Sequence, residues 1–253
     1  MTQSDSLWPQ VQQQANRLLQ LVRELTPKGE VDVQTAHAYI LGMYWRCLRL
    51  YEATLLLLSA GFPEEAVFLA RSLFEDSLHL QQLAAEPEAR DALILGWANR
   101  SIDQKRGLFQ TAKALGLDKD VDEALASLED QRKSLTGYAS RHGVRSFSSF
   151  RSVKDAATRY DRKEDVWTYE WAHEFVHGTD AAYVFARRKL IPGSAGMYAK
   201  TEHPELRAGF AEFAARSLTD ASAAICRIFG WPIAPDLEQP VTEMRRLLDQ
   251  NAT

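Results

Sequence analysis

Apolar residues recur along the chain at three- and four-residue spacing, which is the period of an amphipathic α-helix. The first segment shows this pattern at Leu7, Val11, Ala15, Leu18, Val22 and Leu25. Glycine and proline mark helix boundaries, as at Gly61 to Pro63 and at Gly116. No segment alternates apolar and polar residues with a period of two, so the sequence predicts no sheet. We therefore expect an all-α fold, a bundle of about seven or eight helices.

The predicted helices lie at about 7–25, 33–60, 63–85, 88–115, 118–135, 153–160, 165–190 and 204–229, with a short helix after Pro240. The pattern has no repeat of fixed period, which argues against a solenoid. We expect one domain over 1–253, with its core bundle at about 33–229 and a basic loop at 137–163. The 33–60 helix is apolar on most sides, which is typical of a central helix.

The composition is that of an ordinary globular protein, with 253 residues, 45% hydrophobic and 25% charged. This balance excludes collagen-like and wholly disordered chains. The two cysteines, Cys47 and Cys226, form no paired motif and indicate a reducing cytoplasmic compartment. No signal peptide and no apolar run of membrane-spanning length is visible, so we expect no membrane partner.

The net charge of −4 conceals a strong asymmetry, because residues 131–163 carry nine basic and two acidic side chains. That segment therefore has a charge of +7 and the remainder of the chain has −11. Aromatic residues lie among the basic ones, a combination that suits phosphates and stacked bases. We expect RNA or a nucleotide to contact Arg141, Arg145, Arg151, Lys154 and Arg159. A solvated loop, or a loop docked on an acidic subunit surface, is the alternative.

Residues 173–177 read His-Glu-Phe-Val-His and match the HExxH pattern of zinc hydrolases. In such enzymes His173 and His177 would bind zinc, and Glu174 would activate the bound water. Zinc is the only cofactor the sequence suggests, and no clear third ligand follows the motif. The alternative is a structural hydrogen-bonding network along a polar stripe that also contains Glu170.

A second polar stripe interrupts the apolar 63–85 helix at Arg71, Glu75 and His79. Charged side chains in a core are costly unless they are paired. If this helix is central, the stripe must face partners, and we expect it to face Glu170 and the two histidines of the HExxH motif. The alternative is a simple salt bridge between Arg71 and Glu75 along one helix.

Two short motifs, Arg71-Ser72-Leu73-Phe74-Glu75 and Val176-His177-Gly178, carry a resemblance over roughly residues 40 to 190. The chain resembles an uncharacterised family of all-helical bacterial proteins with an R-S-L-x-E helix and a later V-H-G helix. More distantly it is similar to HEPN domains, many of which are dimeric ribonucleases in stress or phage defence. Those ribonucleases place a histidine four to six residues after an arginine, a spacing that this sequence lacks.

Three classes of function therefore stay open. The first is a HEPN-like module that binds or cleaves RNA or a nucleotide, with His177 as general acid/base and Arg71 and Glu75 as its partners. The second is a zinc hydrolase that uses the motif at 173–177. The third is a helical interaction protein without an active site. The sequence does not decide between an enzyme and a binding protein, and a homodimer is compatible with each class.

Overall fold

The computed structural model describes residues 3–25, 35–116, 120–176 and 204–251. Over these ranges the chain forms nine α-helices, one short 3-10 turn and no strand, which confirms the all-α fold. The number is above seven or eight because the short segments at 153–160 and after Pro240 are both helical. The helices are α1 Gln3–Leu25, α2 Thr35–Ala60, α3 Pro63–Ala85, α4 Arg90–Leu115, α5 Val121–Arg141, α6 Val153–Arg159, α7 Asp165–Val176, α8 Pro204–Phe229 and α9 Gln239–Asn251.

Local sequence signals account for several helix ends. Pro63 occupies the first turn of α3, where its missing N–H has no intrahelical partner to lose. Gly116 ends α4 in the left-handed conformation, with φ +66°. The hydroxyl of Ser152 accepts a hydrogen bond from the backbone N–H of Asp155 and caps the short helix α6. The ends at Pro63 and Gly116 lie where the glycine and proline pattern predicts them.

Helix α3 lies at the centre of the molecule and packs against α2, α8, α7 and α6. None of its residues from 63 to 84 is exposed. Its closest neighbour is α8, a helix whose small buried side chains permit close packing with its several neighbours: Ala208, Ala211, Ala214, Ala215, Ala221 and Ala224. The sequence favoured α2 as the central helix, yet Trp45 and Leu56 on α2 are 50% and 71% exposed.

Helices α4 and α5 form a hairpin with a small core of its own, separate from the main one. Helix α5 extends six residues beyond its predicted end, because Tyr138 and Ala139 are buried against α4. Gly143, with φ +69°, follows the helix. The loop that the sequence placed at 137–163 is therefore shorter, covers 142–152, and is followed by α6.

A buried network of charges joins the turn between α6 and α7, the start of α7, and α8. Arg162, 6% exposed, forms ion pairs with Asp165 and Asp220. Arg216 on α8 pairs with Asp165 and with Glu212, the latter at 2.8 Å. Burial alone would lower the pKa of Arg162, but the two neighbouring carboxylates outweigh it and raise that pKa. The start of α7 is thus fixed to α8 by paired charges.

None of the helices in the described ranges combines the length and apolar character needed to cross a membrane. Both cysteines, Cys47 and Cys226, are buried and carry free thiols, as their apolar surroundings in the sequence predicted. The helix predicted at 165–190 is described as far as Val176, and its continuation lies outside the described residues.

Candidate functional site

The polar stripe of α3 continues beyond Arg71, Glu75 and His79 to Gln82 and Glu86, each one helical turn further along. The segment from the 142–152 loop to α7 covers this stripe. Contacts run from Tyr169 on α7 at one end to Arg151 of the loop at the other. The stripe is therefore covered by neighbouring segments and is not a solvated face.

Arg71 and Glu75 meet α7 through Tyr169, a residue that the sequence analysis missed. The Arg71 guanidinium donates a hydrogen bond of 2.8 Å to the Tyr169 hydroxyl and lies 4.3 Å from the centre of its ring. Burial and the negative charges of Glu75 and Glu170 raise the pKa of Tyr169, against the lowering effect of Arg71. These four side chains form a partly buried cluster of two acids, a cation and a phenol.

His79 belongs to a different environment from Arg71. Its ring stacks on Phe150 at a centroid distance of 4.1 Å, and its Nδ1 has no hydrogen-bond partner within the described part of the chain. Burial, with the nearby charges of Arg100 and Arg46, lowers the pKa of His79 to about 4. The imidazole is therefore neutral near pH 7 and serves as a packing group against the loop.

The predicted polar centre is thus described in part. The structure brings Arg71 and Glu75 to Tyr169 on α7, whereas His79 stacks on Phe150 and Glu170 pairs with Lys154. The side chain of His173 and the whole of His177 lie outside the described residues, so their place relative to Arg71 stays a prediction. A signal for Tyr169 was present, since it stands one helical turn before His173 on the same helix.

The HExxH motif receives no support from the part of the chain whose side chains are described. No three His, Cys, Asp or Glu side chains within that part are arranged to hold a metal ion. The two candidate zinc ligands, His173 and His177, and also Glu174, are outside it. Zinc binding at 173–177 therefore remains a prediction from the sequence alone.

The basic segment 131–163 divides into paired and solvent-facing residues. Arg162 is part of the buried network, and four others form ion pairs at the surface: Arg132, Lys133, Arg151 and Lys154. All five predicted phosphate contacts, Arg141, Arg145, Arg151, Lys154 and Arg159, are exposed. Pairs between exposed side chains are weak and exchange readily with other partners, so they leave these cations available to an anion.

The loop 142–152 is held firmly in place by the helices beneath it. The Ser148 N–H donates to the Ala92 carbonyl at 3.0 Å, and the Arg151 N–H donates to Oε1 of Gln82 at 3.0 Å. The Ser148 carbonyl oxygen lies 1.8 Å from the position that a Cβ on Gly96 would take, so only glycine fits there. The loop therefore presents its charges from a fixed backbone.

A cleft of about 1130 Å³ opens between α2 and the α4–α5 hairpin. Aromatic side chains line it from all three helices, namely Tyr39, Trp97 and Tyr138, with Tyr39 and Trp97 packed edge to face at 6.2 Å. Its cations are Arg46, Lys105 and Arg141, and its acids are Glu123 and Asp130. Apolar walls with a few charged groups are typical of ligand sites. Sequence reasoning identified Arg141 among these residues but not the cleft.

Arg46 is held in place by an ion pair with α3, on the side of Arg46 away from the cleft. Its guanidinium donates a hydrogen bond of 2.9 Å to Oδ1 of Asp76, a buried residue of α3. Burial raises the pKa of Asp76 to about 7, although Arg46 acts to lower it. Lys105 and Arg141 stand on the two helices of the hairpin and face the solvent at the sides of the cleft.

Comparison with known proteins gives a family but no activity. The model of a family described as being of unknown function, DUF5677, matches residues 37–188, which contain the cleft, the polar stripe of α3 and the basic segment. No curated protein and no solved structure matches the chain.

Proposed function

The chain belongs to the DUF5677 family of unknown function, and from that starting point we propose that it binds a nucleotide, or the end of an RNA chain, in the cleft between α2 and the α4–α5 hairpin. The phosphate would pair with Lys105 and Arg141, and the base would stack on the aromatic rings of Tyr39 and Trp97. The observation that carries this proposal is the coexistence of cations and three aromatic rings in one cleft of suitable volume.

The charge distribution supports an anionic ligand at this side of the molecule. Arg141 lies both in the cleft and at the start of the exposed basic residues that continue to Arg159. The segment 131–163 carries a net charge of +7 and contributes Arg141 to the cleft, where Arg46 and Lys105 add two further cations. A local excess of positive charge attracts an anion.

The acidic side chains of the cleft suit the base and the ribose of a nucleotide. Carboxylates of Glu123 and Asp130 accept hydrogen bonds from exocyclic amines and from ribose hydroxyls. Stacking on an aromatic side chain contributes about 1–3 kcal/mol per base and tolerates any base. We therefore expect recognition of the phosphate and the sugar to be stronger than discrimination among bases.

Cleavage of RNA is a second candidate, in line with the distant resemblance to HEPN ribonucleases. The cluster of Arg71, Glu75 and Tyr169 favours it, because a guanidinium and a phenol stand together beside a carboxylate. Arg71 would hold a phosphate and His177 would act as general acid/base. RNA degradation that is lost in His177→Ala and Arg71→Ala, with folding retained, would establish this activity.

Binding is tested with two probes, a ribose-labelled fluorescent ATP and a short fluorescein-labelled single-stranded RNA. We expect at least one to bind at low salt, and Arg141→Gln and Lys105→Gln each to weaken it roughly tenfold, as expected for loss of a hydrogen bond to a charged group. RNA affinity should also fall steeply as salt increases. Binding of ATP alone would identify a nucleotide site, and binding of RNA alone a site for a polynucleotide.

The matched control is Arg246→Gln, which removes an exposed, ion-paired arginine from α9. Helix α9 packs against α1 and α8, away from the hairpin, so this variant should bind as the wild type does. Failure of both probes to bind at low salt, or equal loss of affinity in Arg246→Gln and Arg141→Gln, would refute a site in the cleft.

A further inference from the structure

The outer face of α2 is apolar in part, and no other helix in the described ranges covers it. Ala38, Gly42, Trp45, Arg49 and Leu56 recur on this face at spacings of three, four and seven residues, the pattern of a helix that packs along a second helix. All five are exposed, with Trp45 at 50% and Leu56 at 71%. Large exposed apolar side chains in a row mark interaction surfaces.

A hollow lies on the N-terminal half of this face. It measures about 490 Å³ and is bounded by Gly42, Trp45, Arg46, Arg49 and Leu50. Apart from the adjacent residues and backbone of α2 itself, no described atom stands within 4 Å of the point that a Cβ on Gly42 would occupy. The C-terminal half of the same face has a projection where the N-terminal half has a hollow, because Leu56 extends from it into solvent.

We propose that this face binds a second copy of the same chain, with the two α2 helices antiparallel about a two-fold axis near Arg49. Gly42 and Leu56 lie seven residues on either side of Arg49. Such an axis therefore brings Leu56 of the second copy level with Gly42, where it fills the hollow beside Trp45. The same contact forms twice, as a two-fold interface requires.

The charges on this face agree with the same arrangement. Glu52 lies one turn from Arg49 towards the flank that carries Trp45, and the antiparallel pairing places Glu52 of one copy beside Arg49 of the other. Two such ion pairs flank the axis and offset the repulsion between the two Arg49 side chains. Glu52 retains exposed surface for this role, since its side chain is 40% exposed while paired with Arg23.

The interface adjoins the proposed ligand site and shares its edge at Ala38, Gly42 and Arg46, but the two surfaces lie mainly on different flanks of α2. It uses the flank of α2 with Trp45, Arg49 and Leu56, whereas the cleft uses the flank with Tyr39 and Met43. Gly42 and Arg46 stand at the border between the two. Dimer formation therefore leaves the hairpin side of the cleft open, and loss of ligand binding would not by itself affect the dimer.

The molar mass of the purified full chain in solution, measured by light scattering after size exclusion, tests the proposal. We expect twice 28.6 kDa for the wild type and 28.6 kDa for Leu56→Glu. Leu108→Glu is the matched control, because Leu108 is also a 71% exposed helical leucine but stands on α4, and this variant should stay dimeric. A monomeric wild type, or a dimer that survives Leu56→Glu, would overturn the interface.

A charge reversal tests the pairing itself. Arg49→Glu and Glu52→Arg should each weaken the dimer at least tenfold, because each places like charges beside one another at the axis. All three variants are made in an Arg23→Gln background, because Arg23 pairs with Glu52 of its own chain and would repel an arginine at position 52. In that background the double variant R49E/E52R should restore the dimer, since the two ions exchange places across the interface. Far-UV circular dichroism verifies that each variant is folded. A double variant as weak as either single one would refute the antiparallel pairing.

Discussion

Helix α3 and the distal half of α4 are both rich in polar residues, but those of α3 are covered by other helices and those of α4 face solvent. On α3 the charged side chains lie inside the bundle, and Asp76 and Arg71 each contact a specific neighbour. On α4 the residues from 103 to 108 are all exposed, and even Leu108 is 71% exposed. One helix is held in place by its polar contacts, whereas the other extends into solvent as one arm of the hairpin.

This difference separates two uses of charge in the same chain. A buried ion is tolerated only with partners, so the charges around α3 and α8 act first on the fold. The solvent-facing cations of the hairpin have little effect on stability and remain available to a ligand. Substitutions at the two regions should therefore give different readouts, stability for the first and affinity for the second.

The largest expected effect comes from the buried network around Arg162. Arg162→Met leaves Asp165 and Asp220 without their main cation and should lower the free energy of unfolding by about 3–5 kcal/mol. Lys163→Met, the next residue in sequence and exposed, should change it by less than about 0.5 kcal/mol. Urea denaturation of both variants measures this contrast, and a loss under about 1 kcal/mol for Arg162→Met would contradict the structural role of the network.

A smaller effect on stability is expected when glycine is replaced by alanine in the two halves of α4. Gly96→Ala directs a methyl group into the Ser148 carbonyl and should destabilise the protein by about 2–3 kcal/mol, because backbone must move. Gly107→Ala on the exposed half meets no described atom within 4 Å and should stabilise it by about 0.5–1 kcal/mol, through helix propensity alone. Thermal unfolding reports both signs, and similar shifts for the two variants would show that the loop is not fixed on α4.

The smallest effect is a pH dependence of the free energy of unfolding. Two buried groups of α3 contribute to it with opposite sign, so their effects partly cancel in the wild type. The pKa of Asp76 is raised from 3.8 to about 7, so its contribution to stability is present at low pH and is lost as pH rises through 7. The pKa of His79 is lowered from 6.5 to about 4, so its contribution is present above 6.5 and is lost as pH falls through 4. Between these values the two contributions oppose each other.

Substituting the two residues one at a time should reveal how each changes the free energy of unfolding with pH. Relative to the wild type, Asp76→Asn should become more stable as pH rises from about 4 to 6.5, and His79→Asn less stable, each by about 1–3 kcal/mol. Urea unfolding at a series of pH values measures the difference, with the double variant as the reference. Parallel profiles for the two single variants would show that these groups do not titrate differently in the folded and unfolded states.

Periodicity predicted the all-α fold and most helix ends, because a helix depends on local spacing and on glycine and proline. It did not predict how far α5 extends, since Tyr138 and Ala139 are helical only because α4 buries them. The candidate site was predicted in part, because spacing along one helix is visible in the sequence and contacts between helices are not. Arg71 and Glu75 share one helix and could be paired from spacing, whereas Tyr169 meets them through a contact between residues about a hundred positions apart.

The cleft had no comparable signal in the sequence. Its lining comes from three helices, and Tyr39, Trp97 and Tyr138 look like ordinary core residues when each is taken alone. The role of Gly96 was equally invisible, because it depends on where the backbone of Ser148 passes. Spacing along one element can be analysed locally, but convergence between elements is decided by packing.

The central position of α3 also bears on what the family match represents. The matched region ends at residue 188, whereas the helix that packs most closely on α3 begins at Pro204. A fragment limited to 37–188 would lack α8 and would present Phe74 to water, because the ring of Phe74 packs 5.2 Å from that of Phe213 on α8. The region that the family model recognises is therefore smaller than the packed core of this chain.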